Sequence, residues 1–328
     1  MSPMKIPETK LESQQRKGYI FASIATFCLA LTALFIRELT LTYKLPSLVM
    51  AFWRNLLAIS ILFVFLLTFK RELLKLERAH LPFMMLFGLG VVLFNLTWTL
   101  SVVANGPSIA TVIVYSSVPF TAFMAYLFSW ESVKLPKIIA IAITLMGCAM
   151  VSLTSTTIKI NWGGLMIGLL SGLTYAAYTL LSRKAGQKGI NPWTAFIYSF
   201  FFGTIYMGLV NLFPIKFIPG QAASPSTMIL NLPLMGWVTL IGLAVISTII
   251  GFGAYNTSLV HLPASTANMF LTLEPIITAV FAFFLFHERL TSTQLLGGLL
   301  VVAAVLWIRW YEGQVATKQK MKALQEKQ

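Results

Sequence analysis

Residues 107–131 read PSIATVIVYSSVPFTAFMAYLFSWE, and residues 263–288 read PASTANMFLTLEPIITAVFAFFLFHE. Each stretch begins with a Pro followed closely by Ser and Ala, carries a second Pro twelve residues later, and ends on a Glu. A transmembrane helix needs about 20 mainly apolar residues, so both stretches are long enough to cross a bilayer. A duplicated apolar helix predicts a transporter that is built from two related halves.

The composition places the chain in the membrane. Hydrophobic residues make up 57% of its 328 residues and charged residues only 10%, and the mean hydropathy is +0.81. A soluble domain has roughly 25% charged residues, so the deficit decides the class before any motif does. The fold class predicted is therefore an all-α polytopic membrane protein.

Ten apolar segments have the length and composition of transmembrane helices. They cover approximately residues 18–36, 46–69, 81–103, 107–130, 136–154, 163–182, 192–213, 234–258, 263–286 and 293–310. The first is longer than the apolar part of a signal peptide, and nine more follow it. We therefore expect an unprocessed chain with ten transmembrane helices and no room for a globular domain.

The net charge of +14 could suit a nucleic acid, but the location of the charges indicates membrane topology instead. Lys and Arg concentrate in the two tails and in the loops on one side of the predicted spans, and only Arg54 lies deep within a span. Positive residues favour the cytoplasmic side, so both termini are predicted to be cytoplasmic. No nucleic-acid partner is expected.

A second pair of helices is also duplicated. Residues 18–37 align with residues 164–183 without a gap, and small residues fall opposite one another along one face of both helices. The aligned positions are Gly18, Ala22 and Thr26 in the first copy, and Gly164, Gly168 and Gly172 in the second. Small residues at this spacing let another helix approach closely.

The domain prediction follows from these duplications. Five spans fall in each half, and an odd number makes the second half enter the membrane from the opposite side, which gives two inverted five-helix repeats. The predicted boundaries are a cytoplasmic tail over residues 1–17, a first repeat over 18–154, a second repeat over 163–311 and a cytoplasmic tail over 312–328.

The pattern resembles the EamA-type members of the drug/metabolite transporter superfamily over about residues 18–311. The resemblance rests on the two five-helix repeats, the Leu-Glu-Pro of residues 273–275 and the closing His-Glu-Arg-Leu of residues 287–290. The first half departs from it, with Val118-Pro119 in place of Glu-Pro. It implies a secondary carrier of the bacterial inner membrane, often an exporter of amino acids or other small metabolites.

The residue inventory argues against an enzyme. The chain has no Asp and only three His, so a Ser-His-Asp triad or a multi-histidine metal site is nearly excluded. Cys28 and Cys148 both fall within apolar spans, where they are best interpreted as core residues. No phosphate-binding Gly-rich loop is present. We expect no metal, cofactor or catalytic residue, and the predicted partners are the lipid bilayer, a small-molecule substrate and protons.

Two ionisable residues within the predicted spans are the candidates for coupling or polar contact. Glu274 lies near the middle of the ninth span and Arg54 lies about eight residues into the second. A charge at this depth costs on the order of 2.5–3.5 kcal/mol, so it should face a cavity or a partner. Glu274 is a hypothetical proton-coupling group or contact for a substrate amine, or else a carboxyl bonded to backbone freed by Pro275. Arg54 is a substrate contact or a helix-pairing residue, and an Arg54–Glu274 pair is a further hypothesis.

Polar and aromatic side chains form a stripe that should line a central cavity, because unpaired polar groups are costly in hydrocarbon. In the sixth span Ser171, Tyr175, Tyr178 and Ser182 fall on one helical face. The predicted substrate-binding residues are Asn95, Trp98, Thr99, Tyr115, Ser116, Tyr175, Tyr178, Tyr255, Asn256, Asn268 and Thr272. Interhelical hydrogen bonding is the alternative for each of them. As a set they suit a small amphipathic metabolite.

The function predicted is secondary active transport by alternating access, with amino acids or similar metabolites as cargo, export as the direction and protons as the coupling ion. A facilitative carrier or exchanger for another small solute fits almost as well. A channel is disfavoured, because channels prefer rings of like residues from several subunits. A membrane-embedded enzyme lacks its acid–base cluster. Substrate identity and oligomeric state stay open.

Overall fold

The computed structural model describes residues 10–105, 107–128, 130–131, 134–152, 162–213, 218, 220–286 and 291–325. Across these residues the regular structure is helical throughout. The α-helices are α1 (Lys10–Ala30), α2 (Thr32–Leu41), α3 (Ser47–Phe69), α4 (Leu81–Asn105), α5 (Pro107–Val114), α6 (Ser117–Leu127), α7 (Leu135–Ser152), α8 (Trp162–Gln187), α9 (Pro192–Leu212), α10 (Leu234–Gly242), α11 (Gly253–His261), α12 (Ala264–Leu271), α13 (Glu274–Phe286) and α14 (Ser292–Gln325).

Eight helical stretches of the described chain are long and apolar enough to cross a membrane. The other two predicted spans correspond to α7, whose apolar part is shorter, and to the divided pair α12 and α13. Large apolar side chains such as Phe65, Phe123 and Leu299 are exposed on the outer surface, as expected for helices that face lipid. The prediction of an all-α multi-pass membrane protein is confirmed at this level.

The duplicated stretches are both broken at matching places. α5 gives way to α6 at Tyr115 and Ser116, and α12 gives way to α13 at Thr272 and Leu273. A Pro lies two to four residues beyond each break, and its ring removes one helical donor and clashes with the carbonyl four residues earlier. Shorter i→i−3 hydrogen bonds close both breaks, including Val118 N to Tyr115 O at 3.0 Å and Ile276 N to Leu273 O at 3.2 Å. The proline of each stretch therefore accounts for the interruption of its helix.

The eighth predicted span changes its winding in the middle. Between α10 and α11 the residues Leu243–Phe252 form a π-helix, which the sequence did not indicate. Ser247 donates to the Cys28 carbonyl at 3.1 Å, and Thr248 donates back to the Leu243 carbonyl at 3.1 Å. Thr248 thus satisfies a backbone carbonyl at the start of the π-helix, and Ser247 ties the π-helix to α1. Wide turns of this kind are frequent near functional sites.

The two halves of the chain, α1–α7 and α8–α14, pack against each other through corresponding helices. α1 packs against α11 and the π-helix of the second half, while α8 packs against α4 of the first half. α3 pairs with α9, α6 with α12, and α7 with α14. The main contacts between the halves are thus either pairings of equivalent helices or contacts that recur in equivalent form.

The predicted ridges of small residues occupy these contacts. A Cβ at Gly168 of α8 would lie 2.7 Å from Ile113 of α5, and a Cβ at Gly18 of α1 would lie 2.6 Å from Leu262 beside α12. Thr26 donates to the Phe270 carbonyl of α12 at 3.2 Å. Close helix approach at small residues is therefore confirmed in both copies.

Candidate functional site

Glu274 begins α13 at the break in the second duplicated stretch. Its Oε2 accepts a hydrogen bond from the Tyr115 hydroxyl, which lies at the equivalent break of the first stretch, at 3.4 Å. Tyr115 is buried and Glu274 is partly buried. In the described part of the chain this long hydrogen bond is the one that Glu274 makes. The two helix breaks therefore meet through one weakly bonded carboxylate.

The residues around this contact are mostly paired with one another. Asn268 of α12 donates to Ser117 Oγ at 3.2 Å and to Thr121 Oγ1 at 3.0 Å, which ties α12 to α6. Thr272 donates to the Met269 carbonyl at 2.5 Å. Ser116 differs, because its Oγ is buried and has no partner among the residues that the structure describes. Among the predicted contacts around Glu274, Ser116 is therefore the one whose hydroxyl has no hydrogen-bond partner in the described chain.

Arg54 forms a separate polar cluster between α3 and α4. Its Nη2 donates to Asn95 Oδ1 at 2.9 Å, and its Nε donates to Asn55 Oδ1 at 3.3 Å. Thr99 donates to the Asn95 carbonyl at 2.8 Å, and Trp98 packs partly buried against the core. Asn55 is fully buried and was missed by sequence reasoning, although its place beside Arg54 could have signalled it. No salt bridge joins Arg54 to Glu274 in the described part of the chain, so the structure gives no support to the hypothesis of such a pair.

The predicted tyrosines lie together in a buried aromatic core. The rings of Tyr175, Tyr178 and Tyr255 have centroids 6.1–6.5 Å apart. Tyr178 and Ser182 both donate to Asn256 Oδ1 at 2.9 Å. Tyr255 and Thr179 share a further hydrogen bond of 2.9 Å. The group links α8 to α11, and the unpartnered Nδ2 of Asn256 is the exception within it in the described chain.

A charged cluster, which we call the Glu131 cluster, lies where α12 begins. Glu131 accepts hydrogen bonds from the backbone N–H of Ala264 and the hydroxyl of Ser265, and its Oε2 lies 3.2 Å from Lys137 Nζ. Lys137 also lies 3.8 Å from Glu312 of α14. The Glu131 side chain is only 5% exposed. Free N–H groups and the helix dipole at a helix N-terminus favour such an anion.

Further residues extend the Glu131 cluster to other helices. Glu312 accepts hydrogen bonds from Tyr19 of α1 at 2.8 Å and from Thr266 of α12 at 2.5 Å. Sequence reasoning did not assign a role to this cluster. The terminal Glu shared by both duplicated stretches was the available signal, since Glu131 is one of the two copies. The other copy, within the His-Glu-Arg-Leu of residues 287–290, lies outside the described residues.

A surface pocket of about 450 Å³ lies apart from all of these groups. Its lining is apolar apart from Lys70 and comes mainly from α3 and the π-helix. None of the predicted substrate-binding residues contributes to it. The lining residues are Ile61, Leu62, Phe65, Leu66, Lys70, Leu73, Trp193, Val245 and Ile249.

Helices broken in pairs, with a partly buried carboxylate at the breaks, are typical of a multi-pass helical membrane transporter. The chain belongs to the EamA-like transporter family, whose model matches residues 16–153 and again residues 162–310. The resemblance found in the sequence is thereby confirmed. The double match also shows two related repeats, and the family is one of transporters rather than enzymes.

Known relatives agree with this membership. An uncharacterized transporter of Archaeoglobus fulgidus is 26% identical over 68% of this chain and 76% of its own length. The uncharacterized transporter YyaM of Bacillus subtilis is 23% identical over 88% of this chain and 90% of its own. A solved crystal structure superposes with a TM-score of 0.74 at 11% identity, covering 92% of this chain and 98% of that chain. This last likeness establishes a shared fold.

Proposed function

We propose that the chain is a secondary active transporter that carries amino acids or similar small amphipathic metabolites by alternating access, with Glu274 as its proton-coupling group. One observation carries the proposal: Glu274 lies at one helix break and receives its hydrogen bond from Tyr115 at the other, at 3.4 Å. Ionisable residues within membrane spans are costly and usually mark an ion or substrate pathway. A carboxylate bonded so weakly can exchange its partner for a proton or a substrate group.

The proposed architecture is ten transmembrane helices in two inverted five-helix repeats. α7 and the divided pair α12–α13 would complete the ten crossings. The pairing of corresponding helices from the two halves supports a two-fold relation between them. Broken helices at the interface of two repeats are the usual place for a transporter's substrate site. The paired breaks then act as bending points when the halves rock.

Proton coupling follows from competition for one carboxylate. When Glu274 is ionised, its carboxylate can form an ion pair with a substrate amine or accept a hydrogen bond from the Tyr115 hydroxyl. Protonation removes the negative charge, so the ion pair and the charge-assisted hydrogen bond are both lost. Proton binding on one side and substrate binding on the other would thus alternate. The predicted residues with unpartnered buried atoms, Ser116 and Asn256, are candidates for the remaining polar contacts.

The proposed location is the bacterial inner membrane with both termini in the cytoplasm. The distribution of Lys and Arg supports this orientation. The Glu131 cluster then lies at the cytoplasmic end, where it holds α12 against α7 and α14 and closes the inner side of the transporter. Export is the direction that the resemblance to EamA-type carriers suggests.

The test is a flux assay in proteoliposomes with labelled amino acids, nucleosides and amines, each with and without a proton gradient. We expect saturable transport of an amino acid that a proton gradient accelerates, and Glu274→Gln should abolish that acceleration. Glu38→Gln, which changes an exposed carboxylate of α2, is the matched control. Saturable flux that is indifferent to the gradient in the wild type would leave a facilitative carrier or exchanger. Non-saturable flux would indicate a channel.

A further inference from the structure

Arg54 is a buried cation without a counter-charge in the described structure. Its side chain sits within α3 and the residue is 7% exposed. A guanidinium stays protonated in proteins, so it cannot escape burial by losing its charge. No acidic residue of the described chain forms an ion pair with Arg54. An unpaired buried charge is expensive, and its retention calls for an anion that the described chain does not supply.

The two neighbouring asparagines position the guanidinium and leave donors available. Asn95 and Asn55 accept from Nη2 and Nε, which uses two of its five N–H groups. Nη1 has no hydrogen-bond partner within the described ranges. The Nδ2 of Asn55 is also buried and unpartnered, and it belongs to the amide that accepts from Arg54. Adjacent donors from a cation and an amide, with no acceptor facing them, form the geometry of an anion site.

The cluster is anchored on α4, where Asn95 directly follows a residue that stacks in the aromatic core. Asn95 orients the guanidinium and follows Phe94, whose ring stacks on Tyr175 with centroids 4.4 Å apart. Asn95 is itself held, because its Nδ2 donates to the Val91 carbonyl at 2.8 Å. A ligand held at Arg54 would therefore place its anionic group on fixed donors.

We propose that Arg54, Asn55 and Asn95 form a subsite that binds the carboxylate of the transported molecule. This inference rests on the proposed function and names the chemical class of its substrate. A carboxylate fits better than a phosphate dianion, because the cluster offers one cation and planar guanidinium donors that match two carboxylate oxygens. Asn55 supplies the additional amide donor. Molecules in which the carboxylate is replaced by an amide should bind poorly.

The test is thermal unfolding of the full-length purified protein in lipid nanodiscs, titrated with two matched pairs. The pairs are benzoate against benzamide, and L-phenylalanine against L-phenylalaninamide. We expect the carboxylates to raise the unfolding temperature, since a ligand that binds only the folded state stabilises it. The amides should do so at least about tenfold less tightly, as expected for loss of a charged hydrogen bond.

Two variants of the cluster make the result specific. Arg54→Gln should remove the response to the carboxylates, while Arg37→Gln outside the cluster should retain it. Asn55→Asp places an internal carboxylate beside Arg54, so it should stabilise the protein without ligand and also remove the response. This second variant protects the test against a failure of Arg54→Gln to fold.

The proposal is overturned if no carboxylate stabilises the wild type, if acids and amides act equally, or if Asn55→Asp keeps the carboxylate response. Failure of the proposed function has a different signature. If Glu274→Gln retains proton-driven flux while Arg54→Gln and Asn55→Asp lose carboxylate binding, the coupling role is wrong and the carboxylate subsite stands.

Discussion

Glu131 and Glu274 are two carboxylates inside the helix bundle with opposite environments. Glu131 lies between Lys137, the Ala264 N–H and the Ser265 hydroxyl, and its side chain is 5% exposed. Glu274 receives one hydrogen bond of 3.4 Å in the described chain. A carboxylate with several hydrogen-bond and ion-pair partners, which we call saturated, fixes the helices around it. A carboxylate with few partners, which we call undersaturated, remains available to a ligand or proton. We therefore propose a structural role for Glu131 and keep the transport role of Glu274 as part of the proposed function.

The largest expected effect comes from breaking the saturated site. Lys137→Met leaves Glu131 buried without its cation, and removal of one partner of a buried ion pair costs about 3–5 kcal/mol. We expect a clear fall in the unfolding temperature of the purified protein, measured by tryptophan fluorescence in nanodiscs. Lys134→Met, which changes an exposed lysine nearby, is the control and should be neutral. Equal stability of the two variants would remove the structural role of the Glu131 cluster.

A smaller effect on stability is expected at the undersaturated site. Tyr115→Phe removes only the long hydrogen bond to Glu274, so the free energy of unfolding should fall by less than about 1 kcal/mol. Transport should change more than stability, because Glu274 loses the group that holds it between the helix breaks. The measurement pairs unfolding in nanodiscs with proton-driven flux in proteoliposomes. A large loss of stability with unchanged flux would mean that this contact is structural.

The sequence predicts the parts of the fold that depend on local chemistry. Apolar length indicates the helices, and the positions of Pro119 and Pro275 predict the matching breaks. Small residues such as Gly168 indicate close helix contacts, as observed. These features depend on a residue and its neighbours along one helix, so they can be derived without knowledge of the partners.

The sequence does not reveal contacts that depend on the packing of distant segments. Glu131 meets Ala264, and Lys137 meets Glu312, across more than a hundred residues, so neither contact leaves a local pattern. The choice of Asn95 rather than Glu274 as the partner of Arg54 is likewise tertiary. The π-winding of Leu243–Phe252 has no compositional signal that we identified.

The contrast between the two carboxylates is tested most directly by chemical labelling of the wild-type protein. Dicyclohexylcarbodiimide is an apolar reagent that modifies protonatable carboxyl groups within membranes, and mass spectrometry of peptides locates the adducts. Glu274 should be labelled about tenfold or more faster than Glu131, because each charge-assisted hydrogen bond holds a carboxylate by about 1.5–3 kcal/mol. Equal labelling of the two residues, or preferential labelling of Glu131, would contradict the account.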